Sequence, residues 1–388
     1  MRSLLPFRPP RVHVTRELRW VLQAAFAQPE ERSDFQAERI LKLARSLDLA
    51  ARIAGRLSQD ELMRALGSEA ARALIQQRLA VRAGNRVLLN ALQRVAACAA
   101  TLDVPLVLLK FAALAELRAI GEGDRDARDV DLLVASTDAH RLWSELLRSG
   151  SFQALGEFED GSSLPGLQGA ERELVELNRH VKGLRMPGAN SDLVTLEELQ
   201  RHALLHPGKA ANCWTPAPAL LAAHATVHGL VQHGNVVGYP GMRLLSDLAD
   251  LCELSAIEAS AAQRFVGPLI SPTLMPSALA VSSALRAGGS LDQLSGDSEA
   301  SLIFRHLVAA SCDAEYQRSL PFQRVLQLRA ERRLLRVVFD RVRRPATETQ
   351  RSDPTSGASI ARVLRIGRDG LSSSWHWFRL PKRGAREI

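Results

Sequence analysis

The sequence predicts an α+β protein in which a small α/β core is flanked by N- and C-terminal helical regions. Three observations carry that expectation. Apolar residues recur at three-, four- and seven-residue steps from about residue 29 to 101; short apolar runs alternate with helical stretches from Val104; and helical periodicity returns beyond about Thr195. A chain of 388 residues is long enough for two or three compact units. The expected division is a helical region 1–101, an α/β core 102–194, a helical domain 195–344, and a linker with a basic tail 345–388.

In the first region Ile40, Leu43 and Leu47, then Leu74, Val81, Leu88, Leu92 and Val95, mark amphipathic helices. Ser58 followed by Glu61 reads as a capping box, and Gly84 is expected to loosen a later helix. VPLVLLK, from Val104, is a short strand, followed by a helix through FAALAELRAI that is expected to end at Gly121. DVDLLV is the second strand. The helix after it should open at Ser136 or Thr137, bury Leu142, Leu146 and Leu147, and stop at Gly150. A Gly-rich connection over 156–169 leads to a third strand in ERELVELNRHV, giving β-α-β-α-β over about 102–185. TLEELQRHALL, APALLAAHATVHGLVQH and GMRLLSDLADLCEL then read as helices, with that texture continuing to about Arg344. Residues 345–358 are poor in hydrophobics and rich in Ser, Thr and Pro, the composition of a linker, and a basic amphipathic segment follows.

Composition removes several classes. Hydrophobic residues at 46% and charged residues at 24% are near globular averages, which excludes collagen-like, wholly disordered and disulfide-scaffold proteins. Cys98, Cys213, Cys252 and Cys312 lie far apart with no C-x-x-C spacing, so a zinc site or redox pair is not expected and a reducing compartment fits. The N-terminal MRSLLPFRPP lacks the unbroken apolar run of a secretory signal, and VPLVLLKFAALAEL is too short for a membrane span and contains Lys110. A cytoplasmic protein is expected. Net charge is +8, but residues 318–388 alone hold 17 Lys and Arg against 6 Asp and Glu, so the basicity belongs to the tail. Only five of the 50 basic residues are lysines, the usage of a GC-rich bacterial genome.

The sharpest local feature is Asp129-Val130-Asp131-Leu132-Leu133-Val134. Side chains alternate along a strand, so Asp129 and Asp131 share one face. Two carboxylates so placed suit Mg²⁺, which takes oxygen ligands and completes its shell with water and phosphate. By itself the D-x-D spacing fits a solvated strand edge equally. Lys110 at the end of the first strand, Arg125 four residues before Asp129, and Glu176 on the later acidic strand supply the context for a cation site. For these three the alternatives are a lysine reaching solvent, an arginine pairing with Asp124, Asp126 or Asp129, and a different third carboxylate in Glu171, Glu173 or Glu159.

The stretch VLLKFAALAELRAIGEGDRDARDVDLLV resembles the core of the nucleotidyltransferase superfold, in the branch of uncharacterised bacterial nucleotidyltransferases. The pattern there is a strand ending in L-K-G, a helix, then R-x-x-x-D-I-D-L-L-V. Lys110 matches the lysine, Arg125 the arginine, and Asp129 and Asp131 the aspartates. Val175-Glu176-Leu177-Asn178 is similar to the family's later V-(D/E)-L-H strand, and the region from LLAAHATVHGL to RLLSDL resembles a His-containing helix followed by R-x-L-x-D. The likeness covers about residues 35–255.

It implies a mixed sheet and transfer of a nucleoside monophosphate from an NTP such as ATP, with loss of pyrophosphate. Asp129, Asp131 and Glu176 would be both metal ligands and catalytic carboxylates, Mg²⁺ the cofactor, and Lys110 and Arg125 the nucleotide-binding cations that neutralise phosphate charge. The acceptor is a small molecule, peptide, protein or RNA; family members occur beside peptide natural-product genes, which makes a peptide reasonable. Two positions depart from the pattern. Phe111 replaces the glycine after the lysine, so its side chain must turn away or block the site, and Asn178 replaces a histidine. These departures motivate a rival, a scaffold that keeps the fold without turnover.

His224 and His228 stand i, i+4 with His233 beyond, but H-A-T-V-H lacks the glutamate of a zinc-hydrolase helix, so a packed helix face is the preferred reading. Arg243 and Asp247 are read as an i, i+4 pair. The tail's arginines with Trp375, Trp377 and Phe378 suit either nucleic acid, a lipid interface or packing back on the helical domain. Packing is preferred, because no nucleic-acid module is recognisable.

Overall fold

The computed structural model describes residues 9–320 except 31–34, 156–162, 190–192, 233–241, 268–270, 289–290, 292–293 and 295. The expected linker, basic tail and His233 lie outside the described residues.

The helical start is longer than the periodicity indicates, because α1 (Arg16–Phe26) precedes α2 (Ala37–Ser46) and α3 (Ala50–Arg56). The long element α4 (Gln59–Thr101) opens with the expected capping box: Ser58 Oγ accepts from the Glu61 amide at 3.3 Å, and the Glu61 carboxylate accepts from the Ser58 amide at 2.7 Å. Its break is not at Gly84, which sits in open space within continuous helix. It lies at Gly67, whose φ of +78° is one that residues with a Cβ rarely adopt.

The core begins with β1 (Leu106–Leu108) and α5 (Lys110–Glu116). That helix stops before Gly121 because Arg118 turns left-handed at φ +55° and the Ala119 amide closes back on the Leu114 carbonyl at 2.9 Å. Next come β2 (Asp129–Leu133) and α6 (Ser136–Arg148). Neither Ser136 nor Thr137 caps α6: Ala135 holds the cap position without a side-chain bond, while Gly150 ends the turn as expected, at φ +69°. Two strands missing from the sequence reading, β3 (Gln153–Leu155) and β4 (Gly166–Gln168), flank and enter the Gly-rich connection before β5 (Leu174–Asn178). A separate ribbon pairs β6 (Val181–Lys182) with β7 (Leu193–Val194).

Beyond Thr195 the chain is not helical throughout. After the short α7 (Leu196–Arg201), β8 (Leu205–Pro207) and β9 (Cys213–Pro216) return to the main sheet, with β9 parallel to β1. Ala203 at φ +51° releases the chain from α7, and two- to four-residue strands are too short to register as a period of two. Then follow α8 (Pro218–Thr226), continued by a π-helical turn (Val227–Gln232), α9 (Arg243–Leu254), α10 (Ala259–Gln263), α11 (Leu274–Arg286) and α12 (Glu299–Cys312).

The seven strands run β3-β4-β5-β2-β1-β9-β8, with β2 parallel to β5 and antiparallel to β1, so the sheet is mixed and β2 lies at its centre. Val130, Leu132, Val175 and Leu177 are buried, while the alternate positions hold Asp129, Asp131 and Glu176. The period of two thus sets Asp129, Asp131 and Glu176 on one face of the strand pair and Val130, Leu132, Val175 and Leu177 on the other. The four cysteines are unpaired, and among the described residues no helix is long and apolar enough to cross a membrane.

Candidate active site

Register builds the site. In the β2/β5 pair Asp131 stands opposite Glu176, so its neighbour on the next strand and Asp129 two residues earlier project from the same face. Carboxylate oxygens of Asp129, Asp131 and Glu176 lie within 4.8 Å of one another, with Asp131 buried and Glu176 more open. The alternatives for the third carboxylate are placed elsewhere. Glu173 is buried against Arg94, Glu171 is exposed, and Glu159 is outside the described residues.

Lys110 starts α5 in the left-handed region, at φ +45°, just after the Leu109 amide donates to the Asp131 carbonyl at 3.1 Å. This turn carries Lys110 Nζ to Asp131 Oδ1 at 2.7 Å, so the lysine does not reach into bulk solvent. Burial disfavours its ammonium, but Asp131 first, then Asp129 and Glu176, outweigh that and hold its pKa above the ordinary lysine value. Burial and the like charge of Asp131 push the Asp129 carboxyl up, against the pull of Lys110, Arg125 and Arg243. Phe111, the residue in place of glycine, is 3% exposed and packs in the core, with its ring 6.0 Å from the guanidinium carbon of Arg125.

Arg125 is close enough to influence Asp129, and it grips a carboxylate outside the three expected ones. It forms a two-pronged ion pair with Asp247 of α9, Nε to Oδ1 at 2.6 Å and Nη2 to Oδ2 at 3.0 Å. Asp124 instead pairs with Arg78 at 3.0 Å. Nor do Arg243 and Asp247 pair with each other, since Arg243 turns to Asp48 at 2.8 Å. One turn further along α9, Asp250 meets Arg52 at 2.7 Å, and both are buried. Burial, resisted by Arg52, pushes the Asp250 carboxyl up to about 6.

His224 is buried in α8 and feels the charge of Lys110. Burial, with the lysine's charge second, pushes its pKa down to about 4, and it borders an apolar recess with Leu109, Leu199, Pro216 and Leu220. Its ring meets that of His228 edge-on, with centroids 5.9 Å apart. The packed-face reading of these histidines fits a neutral, buried His224.

Sequence reasoning missed Asn85, which is 1% exposed in the middle of α4. Its Nδ2 donates to the carbonyls of Glu122 at 2.7 Å and Arg125 at 2.9 Å, and its Oδ1 accepts from the Ala127 amide at 3.3 Å. These bonds fix the loop that carries Arg125 into β2. The available signal was a polar side chain on the apolar stripe between Val81 and Leu88. Asp48, Arg52 and Asp250 left no such signal, because their partners are distant in sequence.

The donor set is three hard carboxylate oxygens beside a cation, at the centre of a mixed sheet, which fits a magnesium-class ion and phosphate. A family model described as an uncharacterised nucleotidyltransferase matches residues 33–265. The chain belongs to that family. No curated protein and no solved structure matches it. The nucleotidyltransferase match begins before α2 and ends beyond α10, so it takes in β1 to β9, the α4 clamp and the charged face of α9, and with them every site residue named above.

Proposed function

We propose that this nucleotidyltransferase-family protein moves a nucleoside monophosphate from an NTP to a hydroxyl or phosphate acceptor with Mg²⁺, releasing pyrophosphate. The observation that carries the reading is the meeting of Asp129, Asp131 and Glu176 within 4.8 Å on the central strand pair. These three would hold the ion, which when bound supplies Lewis-acid stabilisation of charge on the transferring phosphoryl group. Lys110, held at Asp131, would offer an ammonium to phosphate oxygens beside the carboxylates, and Arg125 would add positive potential. Glu176, more open than Asp131, is the carboxylate best placed to take a proton from an acceptor hydroxyl. A peptide or other small molecule is the acceptor class that the family setting favours.

Burial of the Phe111 ring in the core supports the transferase reading over the scaffold alternative, which is motivated by Phe111 and Asn178. The nucleic-acid alternative rests on the tail, outside the described residues.

Thermal unfolding with ATP, GTP, CTP and UTP, each with and without Mg²⁺, tests the proposal. At ~100 times Kd a ligand of the native state adds ~2.7 kcal/mol. A Mg²⁺-dependent rise with at least one nucleotide is expected. No rise with any of them in well-folded protein would move the assignment to the scaffold.

A further inference from the structure

We infer that Asp247 is a positioning residue of the nucleotide site, acting through Arg125; this rests on the nucleotidyltransferase reading and deepens it. The fork from Asp247 engages Nε and Nη2 of Arg125 together. A guanidinium gripped along one edge keeps a fixed plane, whereas a singly bonded one rotates. The Phe111 ring, 6.0 Å from the guanidinium carbon, bounds it on another side. The Arg125 backbone is fixed as well, because Asn85 holds its carbonyl at 2.9 Å and the Ala127 amide at 3.3 Å. Side chain and main chain of one arginine, four residues ahead of Asp129 in the acidic strand, are therefore set by two different helices.

The far end of the fork is equally anchored. Residues 243, 247 and 250 recur at helical spacing, and α9 uses them to meet Asp48, Arg125 and Arg52. Asp247 thus grips Arg125 from a helix tied down on either side of it. Both side chains of the fork are nearly buried, at 11% and 8% exposure. A pair so buried gains little net stability, since the attraction is offset by lost hydration. What it provides is placement: a guanidinium held beside the ring of Phe111, the residue next to Lys110, and on the loop that runs into Asp129. Phosphate groups gathered at the carboxylates would meet an arginine already oriented.

The test is a double-mutant cycle read in nucleotide affinity, with wild type, Asp247→Asn, Arg125→Ala and the double variant titrated with the Mg²⁺ complexes of an NTP and of its NMP. Wild type is expected to prefer the triphosphate. Asp247→Asn should weaken NTP binding by roughly tenfold, the scale of one charge-assisted hydrogen bond, while NMP affinity moves less than about twofold. In the Arg125→Ala background the same change should have no further effect on NTP binding. Loss of melting temperature alone, with the NTP-over-NMP preference unchanged, would make the fork merely structural and overturn the inference. If Asp247→Asn does not fold, Asp247→Glu, which keeps the charge and shifts the fork by a methylene, must lower the same preference. Wild type that binds no nucleotide would overturn the transferase reading itself; wild type that binds, with Asp247→Asn equal to it, overturns only the positioning role.

Discussion

Two groups of buried charge lie side by side in this protein and are built differently. On the β2/β5 face three carboxylates crowd within 4.8 Å, and the Lys110 ammonium meets one of them. Along α9 each charge has an opposite partner of its own: Arg243 with Asp48, Asp247 with Arg125, Asp250 with Arg52. Matched pairs are satisfied within the protein and join α9 to the N-terminal helices and the loop before β2. Crowded carboxylates repel one another, and a cation from solution would relieve them. The difference separates charges paired one to one from carboxylates grouped on one strand pair, the arrangement proposed above as the cation site.

The largest effect is expected where a matched pair is halved. Arg52→Ala strands Asp250 in the interior and removes a donor to the Ala25 carbonyl, so unfolding by urea should show a loss of about 3–5 kcal/mol. Replacing both partners, as Arg52→Met with Asp250→Leu, should recover most of it. A single variant no less stable than the double would break the claim that pairing along α9 is architectural.

Asn85→Ala comes next. It leaves the Glu122 and Arg125 carbonyls and the Ala127 amide without their partner, at a cost of about 2 kcal/mol in the same experiment. Hydrogen exchange should quicken in the 122–127 loop before it does in α9, which separates loop anchoring from general loosening.

The smallest effect has the opposite sign. Asp129→Asn removes a half-buried like charge from beside Asp131, so in the absence of divalent ions it should stabilise the protein by about 1 kcal/mol at pH 8. The wild-type carboxyl has a folded pKa above its unfolded one, so the folded state binds the proton more tightly and wild type gains as pH falls through that interval. The advantage of the variant should therefore shrink on acidification and vanish below the ordinary carboxylate pKa. An advantage independent of pH would deny that crowding is the cause.

Much of the acidic face was legible in the sequence because a strand's period of two needs only local information: Asp129 and Asp131 share a face wherever the strand lies. Glu176 needed the register as well, which the β2/β5 pairing supplies and no local pattern contains. The charged face of α9 was misread for the same reason. Arg243 and Asp247 suit each other by spacing, but Asp48 and Arg125 come from distant segments and win both. The α/β order emerged from texture, whereas β3, β4, β8 and β9, at three or four residues each, were too short to register, and two of them lay in a stretch read as helical.

The central claim, that the crowded carboxylates are a cation and triphosphate site, is tested most directly by titrating Mn²⁺, a paramagnetic stand-in for Mg²⁺. Bound and free ion would be resolved by electron paramagnetic resonance, with and without a non-hydrolysable NTP, in wild type and in Asp129→Asn/Asp131→Asn. Saturable binding is expected in wild type, tighter with the nucleotide present, and is expected to be lost in a double variant that circular dichroism shows to be folded. Equal Mn²⁺ binding by the two proteins, or none by wild type even with nucleotide present, would contradict it.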